Sequence, residues 1–337
     1  MYAKQDVSVQ SQKTEDAKTR IGLALGSGSA RGWARIGVTR ALSEIGIEPE
    51  VIAGSSIGAL VGAAYASDHL DKLEDWVESL TWKEIFDYLD LSLMGGGFIQ
   101  GEKLLQFARE QVRDPSIESL PRQFGIVATE LDTGREIWFR EGSLLDGVRA
   151  SIGLPGLLTP VKLRGRWLVD GGLANPVPVS LCRAMGADVV IAVNLNGDIV
   201  GKHGHRRTDQ AESLETEARV ATNYLERIST QFKNGLYGRK GFLLSQLFGE
   251  NIDTPGLFEV LAGSINIMQD RITRSRMAGD PPEVILSPRL SHIGLLEFDQ
   301  AAIAIEEGRA CVKRKRRFSA DSLLLIRIAF LGQKLCV

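Results

Sequence analysis

Ser56 has glycine at two residues on either side, in Gly54-Ser55-Ser56-Ile57-Gly58, and the segment follows directly on the apolar run Val51 to Ala53. A sharp strand-to-helix turn strains the backbone of a serine placed this way, and side chains two positions away would collide. Glycine removes the collision. The register is unambiguous, because neighbouring Ser55 has Ala53 and Ile57 at the same two positions. Upstream, Pro49 and Val51 to Ala53 predict a buried strand entered from a turn, and Ile57 to Ala66, rich in small residues, predicts a helix. Strand, turn and helix come in the order a nucleophile elbow needs. Ser56 is thus a candidate nucleophile, set against the plain alternative that Gly-x-Ser-x-Gly arises by chance in a chain with 36 glycines.

The 337 residues exceed a typical domain and allow one large domain with appendages or two domains. A net charge of -2 gives no global attraction to nucleic acid, and no basic stripe crosses the elbow region. Cys182, Cys311 and Cys336 are far apart and lack metal-ligand spacing, which fits reduced, packed thiols in a cytoplasmic protein. Residues 1–20 are polar and read as a flexible leader without a secretory signal. No run reaches the roughly 18 continuous apolar residues of a spanning helix.

Strand signals recur at Ile21 to Leu25, Val51 to Ala53, Gly125 to Thr129, Glu136 to Arg140, Val161 to Leu163, Trp167 to Val169 and Val189 to Asn194. Helices are predicted from Trp33 to Ile45, Ile57 to Ala66 and Lys72 to Leu80, before a glycine break at Gly95 to Gly97. Alternation of this kind predicts an α/β catalytic core with a mainly parallel sheet over residues 21–200. After Gly201 to Arg207, a mobile link, Leu214, Ala218, Ala221, Leu225, Ile228 and Phe232 share one helix face. Residues 201–262 therefore read as a helical insertion: a face packed on the body or on a second copy, or a lid. Phe242, Leu243, Leu247, Phe248, Leu257 and Phe258 could line an acyl-chain groove. A strand at Glu283 to Ser287 and a helix from Phe298 to Val312 close the core over 263–312. Residues 313–337 form a tail, first basic (Lys313 to Arg317) and then apolar, read as a solvated helix end or as a peripheral contact with anionic lipid.

Acyl transfer needs a nucleophile, a base and donors for the developing oxyanion. The glycine-rich loop Gly26-Ser27-Gly28-Ser29-Ala30-Arg31-Gly32 follows the first strand and opens a helix, where backbone amides are unpaired and the dipole favours negative charge. Gly28 and Ser29 are the best donor candidates. A nucleotide is poorly served, because Arg31 stands where the dinucleotide fingerprint requires glycine and the Gly-Lys-Ser/Thr ending of a P-loop is missing. For the base, Trp167 to Val169 should deliver Asp170 to the sheet edge, with Gly171 and Gly172 letting the chain turn away. Burial can raise such a carboxylate towards working pH, although Asp-Gly-Gly alone is commonly only a turn. Among the four histidines, His292 completes the chain order of an α/β-hydrolase triad, Ser56, Asp170, His292. The residues leave dyad and triad both open.

Taken together, the loop ending in Arg31-Gly32, Gly54-x-Ser56-x-Gly58 and Asp170-Gly171-Gly172 resemble the patatin-like phospholipases, and most closely the bacterial branch related to neuropathy target esterase. The resemblance runs over about residues 21–310 and includes Glu74 to Trp76, Ser151 to Gly156, Asp170 to Pro178 and Arg276 to Pro282. It implies a three-layer α/β/α sandwich and a lipid acyl hydrolase acting on phospholipid or lysophospholipid. Ser56 would be the nucleophile and Asp170 the general base. Gly26, Ser27, Gly28, Ser29, Arg31 and Gly32 would form the oxyanion hole, and no metal or cofactor is implied. Many members have glycine where this chain has Ser27 and Ser29. The alternative of another class is a non-catalytic protein that keeps the fold and binds acyl chains or partner proteins.

Overall fold

The computed structural model describes residues 19–80, 109, 114–197 and 257–318. The expected break at Gly95 to Gly97, the amphipathic face from Leu214 to Phe232, the apolar groups from Phe242 to Phe248 and the apolar tail beyond Phe318 lie outside the described residues.

Short apolar runs buried on both sides build the centre. Ile21–Leu25 (β1), Val51–Ser55 (β2) and Val189–Val193 (β7) are almost entirely enclosed, as expected of parallel strands covered on both faces. They join Gln123–Glu130 (β3), Glu136–Phe139 (β4), Val161–Leu163 (β5), Arg166–Val169 (β6) and Val284–Leu286 (β8) in one sheet ordered β5-β6-β3-β2-β1-β7-β8, with β4 also on β3. The pairs β1–β2, β1–β7, β2–β3 and β7–β8 are parallel. The pairs β3–β4, β3–β6 and β5–β6 are antiparallel. The sheet is therefore mostly parallel with an antiparallel margin at the β3 side.

Helices cover both faces. Ala34–Glu44 (α1), Ile57–Ala66 (α2), Leu70–Ser79 (α3), Leu144–Ser151 (α4) and Ala301–Phe318 (α7) pack with Leu23, Leu25 and Ile52 in the larger core. Val179–Ala184 (α5) lies on the other face against Ala24, Ala53 and Ala192, joined by Met277 of Leu257–Gly279 (α6). Successive residues of β1 thus serve opposite layers, the two-residue period of a strand. The architecture is the expected three-layer α/β/α arrangement.

Two boundaries drawn from sequence fall inside continuous helices: residue 262 within α6 and residue 312 within α7. In α7 the buried Cys311 and Val312 precede Lys313 to Arg317 in the same helix, so the basic run continues a packed element, with Lys313 and Arg316 exposed and Arg314 paired with Glu307. Helix α4 carries no strong sequence signal, being only eight residues long, Leu144–Ser151. Its start is fixed by Ser143, whose hydroxyl accepts from the Asp146 amide at 3.0 Å, a side-chain cap that satisfies an orphan helix donor. Cys182 and Cys311 are both free and buried.

Helices α1 and α7 cross at backbone distance because each presents glycine. A Cβ on Gly37 would lie 1.8 Å from the Ile305 carbonyl oxygen, and one on Gly308 would lie 2.0 Å from that of Ala34. Arg309 beside this crossing bridges Glu44 of α1 at 2.8 Å and Glu74 of α3 at 3.1 Å. Gly37→Ala and Gly308→Ala should each destabilise the fold by about 1–3 kcal/mol through overpacking. Gly263→Ala, where a Cβ on α6 meets nothing within 4 Å among the described residues, should instead be neutral or gain up to about 1 kcal/mol in helix propensity. Midpoints of urea denaturation distinguish the two outcomes.

Candidate active site

Strand pairing brings the two chemical groups together. Ile126 and Val127 pair with both β2 and β4, so these strands occupy opposite edges of β3. Thr129 pairs with both β4 and β6, which puts β6 on the edge that β2 also uses. Along that edge β2 rises parallel to β3 and ends with Ser55 opposite Val127, while β6 descends antiparallel with Val169 opposite Thr129. The next residue of each strand, Ser56 and Asp170, arrives at the same gap beside Ala128. The Ser56 hydroxyl donates to Asp170 Oδ2 at 2.5 Å.

Ser56 has φ 57° and ψ -130° and caps α2, a left-handed conformation that costs a non-glycine residue energy and persists only under tight surrounding constraint. The constraint is visible. A Cβ on Gly54 would sit 2.5 Å from Ala59 Cα, and one on Gly58 would sit 2.1 Å from the Leu25 carbonyl oxygen, so both glycines are required by close approach. The Ser56 amide donates to Ser151 Oγ at 2.8 Å, and that hydroxyl donates to the Val127 carbonyl at 2.6 Å. The side chain keeps 8% of its surface accessible.

Asp170 is fully enclosed. Its amide donates to the Gly153 carbonyl at 2.9 Å, and its own carbonyl accepts from Thr129 Oγ1 at 2.8 Å. Oδ1 accepts from the Gly172 amide at 2.7 Å, leaving Oδ2 for Ser56. Burial pushes the carboxyl up to about 6, against the hydrogen bonds from Ser56 and Gly172 that favour its charged form. Gly171 lies so close to β3 that a Cβ would be 2.1 Å from the Val127 carbonyl oxygen, and one on Gly172 would meet Ser27 Oγ at 2.2 Å. Both glycines therefore seat the carboxylate.

The triad alternative is not assembled. His292 is exposed and forms no hydrogen bond to Ser56 or Asp170, and the direct serine–aspartate contact leaves no place for an imidazole between them. His69 lies before α3, with Nδ1 on the Ser67 carbonyl at 2.6 Å.

The glycine-rich loop needs a finer division than the sequence offered. The Gly26 amide donates to the Val193 carbonyl at 3.3 Å and the Ser27 amide to the Pro176 carbonyl at 2.7 Å, which removes these two as oxyanion donors. Among the described residues the Gly28 and Ser29 amides have no protein acceptor. Ser29 takes up the left-handed region, φ 48°, held by its hydroxyl on the Leu295 carbonyl at 2.6 Å and by the Ala30 amide on the same oxygen at 3.2 Å. A serine thus does there what glycine would do without strain. Ala30, Arg31 and Gly32 continue in a 3-10 turn, Ser29–Trp33. Arg31 is buried within it, and Gly32 packs against Ile57 beside Ser56, where a Cβ would meet Ile57 Cγ2 at 2.2 Å.

Three supporting residues carried no assigned role in the sequence. Ser151 opens the segment Ser151 to Gly156, and Thr129 is the polar end of an otherwise apolar strand, so each left a faint signal. Gln269 left none. It lies buried on α6, 2.5 Å from where a Gly172 Cβ would stand, and its side chain accepts from Asn196 Nδ2 at 3.3 Å. Among the described residues no group of three or more His, Cys, Asp or Glu side chains could hold a metal ion.

Known proteins share this chain's sequence over most of its length. A family model described as patatin-like phospholipase matches residues 23–183. An uncharacterized NTE family protein of Mycobacterium tuberculosis is 35% identical over 322 residues, covering 86% of this chain and 89% of its own length. Patatin-like phospholipase domain-containing protein 6 of Mus musculus is 34% identical over 182 residues, 52% of this chain and 13% of its own. Among solved structures, VipD from Legionella pneumophila matches with a TM-score of 0.42 at 13% identity, over 88% of this chain and 66% of that one. With identity of this extent to NTE family proteins and a patatin-like core, the chain belongs to the NTE family of patatin-like phospholipases.

Proposed function

We propose that this protein is a serine acyl hydrolase that cleaves carboxylic esters of phospholipid or lysophospholipid through a Ser56–Asp170 dyad. The 2.5 Å contact from Ser56 Oγ to Asp170 Oδ2 carries the reading. Membership of the family supports lipid ester hydrolysis in general; the dyad and the substrate class are inferences from the site.

In this mechanism Ser56 Oγ attacks the ester carbonyl carbon as its proton passes to Asp170 Oδ2. The carbonyl electrons move onto oxygen, where the Gly28 and Ser29 amides supply donors that need no rearrangement. Collapse of the intermediate breaks the ester C–O bond, and the leaving alkoxide takes the proton from Asp170. Water then attacks the acyl-enzyme with Asp170 again as base, which releases the fatty acid and restores Ser56. Apolar surface nearby suits an acyl chain. Val260 and Leu261 are 47% and 44% exposed on α6, and Leu261 Cδ1 is 3.6 Å from the position of a Gly156 Cβ, in the loop that also supplies the Gly153 carbonyl to Asp170.

Labelling with a fluorophosphonate probe should modify Ser56 in the native chain. Ser56→Ala and Asp170→Asn should each lower kcat/KM for ester hydrolysis by about 10³-fold or more, while His292→Ala stays within twofold of the native chain by the same free-energy reading of kinetics. A folded native chain that the probe leaves untouched would favour the non-catalytic binding alternative.

The pH dependence has a definite sign. Asp170 must be ionised to accept the proton, so kcat/KM should rise through about pH 6 and level off above it. Stability runs the other way. A carboxyl raised from 3.8 to about 6 on folding makes its favourable contribution below 3.8 and loses it as pH rises through about 6. Relative to Asp170→Asn, the native chain should lose up to about 3 kcal/mol across that window, read from denaturation midpoints at a series of pH values.

A lipid panel scored for released fatty acid should show long-chain phospholipid or lysophospholipid cleaved with higher kcat/KM than a short-chain p-nitrophenyl ester. The tail's part is tested by removing residues 319–337, so that α7 remains whole. Preference for the short ester would reject lipid as the substrate class.

A further inference from the structure

Among the described residues Arg35 has the largest side chain of those completely shut away from solvent. It is the second residue of α1, directly after the 3-10 segment of the glycine-rich loop. Its Nη2 donates to the Ser27 carbonyl at 2.6 Å, while Nε and Nη1 have no hydrogen-bond partner among the described residues. No carboxylate is paired with it there. The guanidinium is wrapped by the loop: Nη1 is 2.8 Å from where a Gly32 Cβ would stand, and Nη2 is 3.4 Å from the corresponding point on Gly28. Arg31, itself buried, adds a second cation to the same turn.

Burying an uncompensated cation is costly, and an apolar side chain of similar volume is commonly as stable or more so. A purely architectural residue would therefore not need to be arginine. The loop around this one gives the charge a use. Its Ser27 carbonyl is tied down, and the two amides that follow, on Gly28 and Ser29, are without an acceptor among the described residues. Negative charge developing at these amides during acyl transfer would meet a cation held beneath them in a region from which water is excluded, where charges interact more strongly than in water.

We infer that Arg35 is a positioning residue for the oxyanion loop, holding the Gly28–Ser29 segment through the Ser27 carbonyl and raising its positive potential with a charge that no carboxylate among the described residues pairs. Burial and the nearby Arg31 charge lower the Arg35 guanidinium to about 9, so it still carries its proton at neutral pH. The inference rests on the proposed acyl transfer at Ser56.

The test compares Arg35→Met, which keeps volume and removes charge, with Arg35→Lys, which keeps charge and loses the planar fork. Each is measured for kcat and KM on one p-nitrophenyl ester, for the rate of fluorophosphonate labelling at Ser56, and for its melting temperature. Arg35→Met should melt at or above the native temperature, keep its KM, and lose about 10²-fold in kcat and in labelling rate, the scale of removing an oxyanion donor. Arg35→Lys should recover about tenfold of that loss, since charge without the fork supplies part of the interaction. A folded Arg35→Met with native kcat overturns the inference. If Arg35→Met does not fold, Arg35→Gln, which can still donate to the Ser27 carbonyl without charge, takes its place: native kcat overturns the electrostatic part, and a loss at unchanged KM supports it. If the native chain is not labelled at Ser56, the proposed function fails first; if it is labelled and the charge-removed variant is labelled equally fast, only the role of Arg35 fails.

Discussion

Two strands share one edge of β3, and the site depends on that arrangement. β2 comes from below and β6 from above, and each ends one residue short of colliding. The residues at the gap are Ser56 and Asp170, so hydroxyl and carboxylate are opposed by the hydrogen-bond register of the sheet itself. A one-residue slip in either strand would turn the side chain to the other face and lose the contact. Ser151, Thr129 and Gly153 lock the register from the sides: each bonds a backbone group at or beside the gap.

The same geometry sets the state of the aspartate. Shut in by the strand ends and by the turn through Gly171 and Gly172, Asp170 is desolvated, which raises its pKa to about 6 against the hydrogen bonds that favour its charged form. More exposure would return it towards the ordinary carboxylate range. Loss of the Gly172 and Ser56 donors would keep it protonated. The glycines here and at the elbow have one physical purpose, letting main chain approach main chain within distances no Cβ allows.

The glycine-rich loop shows a division of labour within four residues. Gly26 and Ser27 spend their amides on the neighbouring backbone and anchor the loop, whereas the Gly28 and Ser29 amides have no acceptor among the described residues. The serine at position 29 occupies a left-handed conformation and offsets its strain with hydrogen bonds to the chain near Leu295. That neighbour lies more than 250 residues away in sequence, so the loop's shape is a property of the closed fold. Beneath it lies Arg35, a cation that packing alone does not require.

The elbow strand and helix, the order of the β-strands along the chain, and the glycine and aspartate motifs were legible because they rest on local rules: period, steric demand, and the need for glycine at close approach. α2 occupies Ile57–Ala66 and β5 Val161–Leu163, as their residues indicated. α4 and α6 were not legible. One is short and defined by a cap, and the other buries Gln269, Asp270 and Thr273, polar residues that no hydrophobic period reveals. Sequence by itself picked out the candidate groups, since only Ser56 stands in an elbow and only Asp170 follows an apolar strand into two glycines, and it left His292 open as a third. Tertiary structure decided how they are placed: which carboxylate oxygen meets the serine, that His292 stays outside, which loop amides lack an acceptor among the described residues, and what charge lies under them. Those outcomes depend on strand register and on contacts between segments far apart in the chain, which no local pattern encodes.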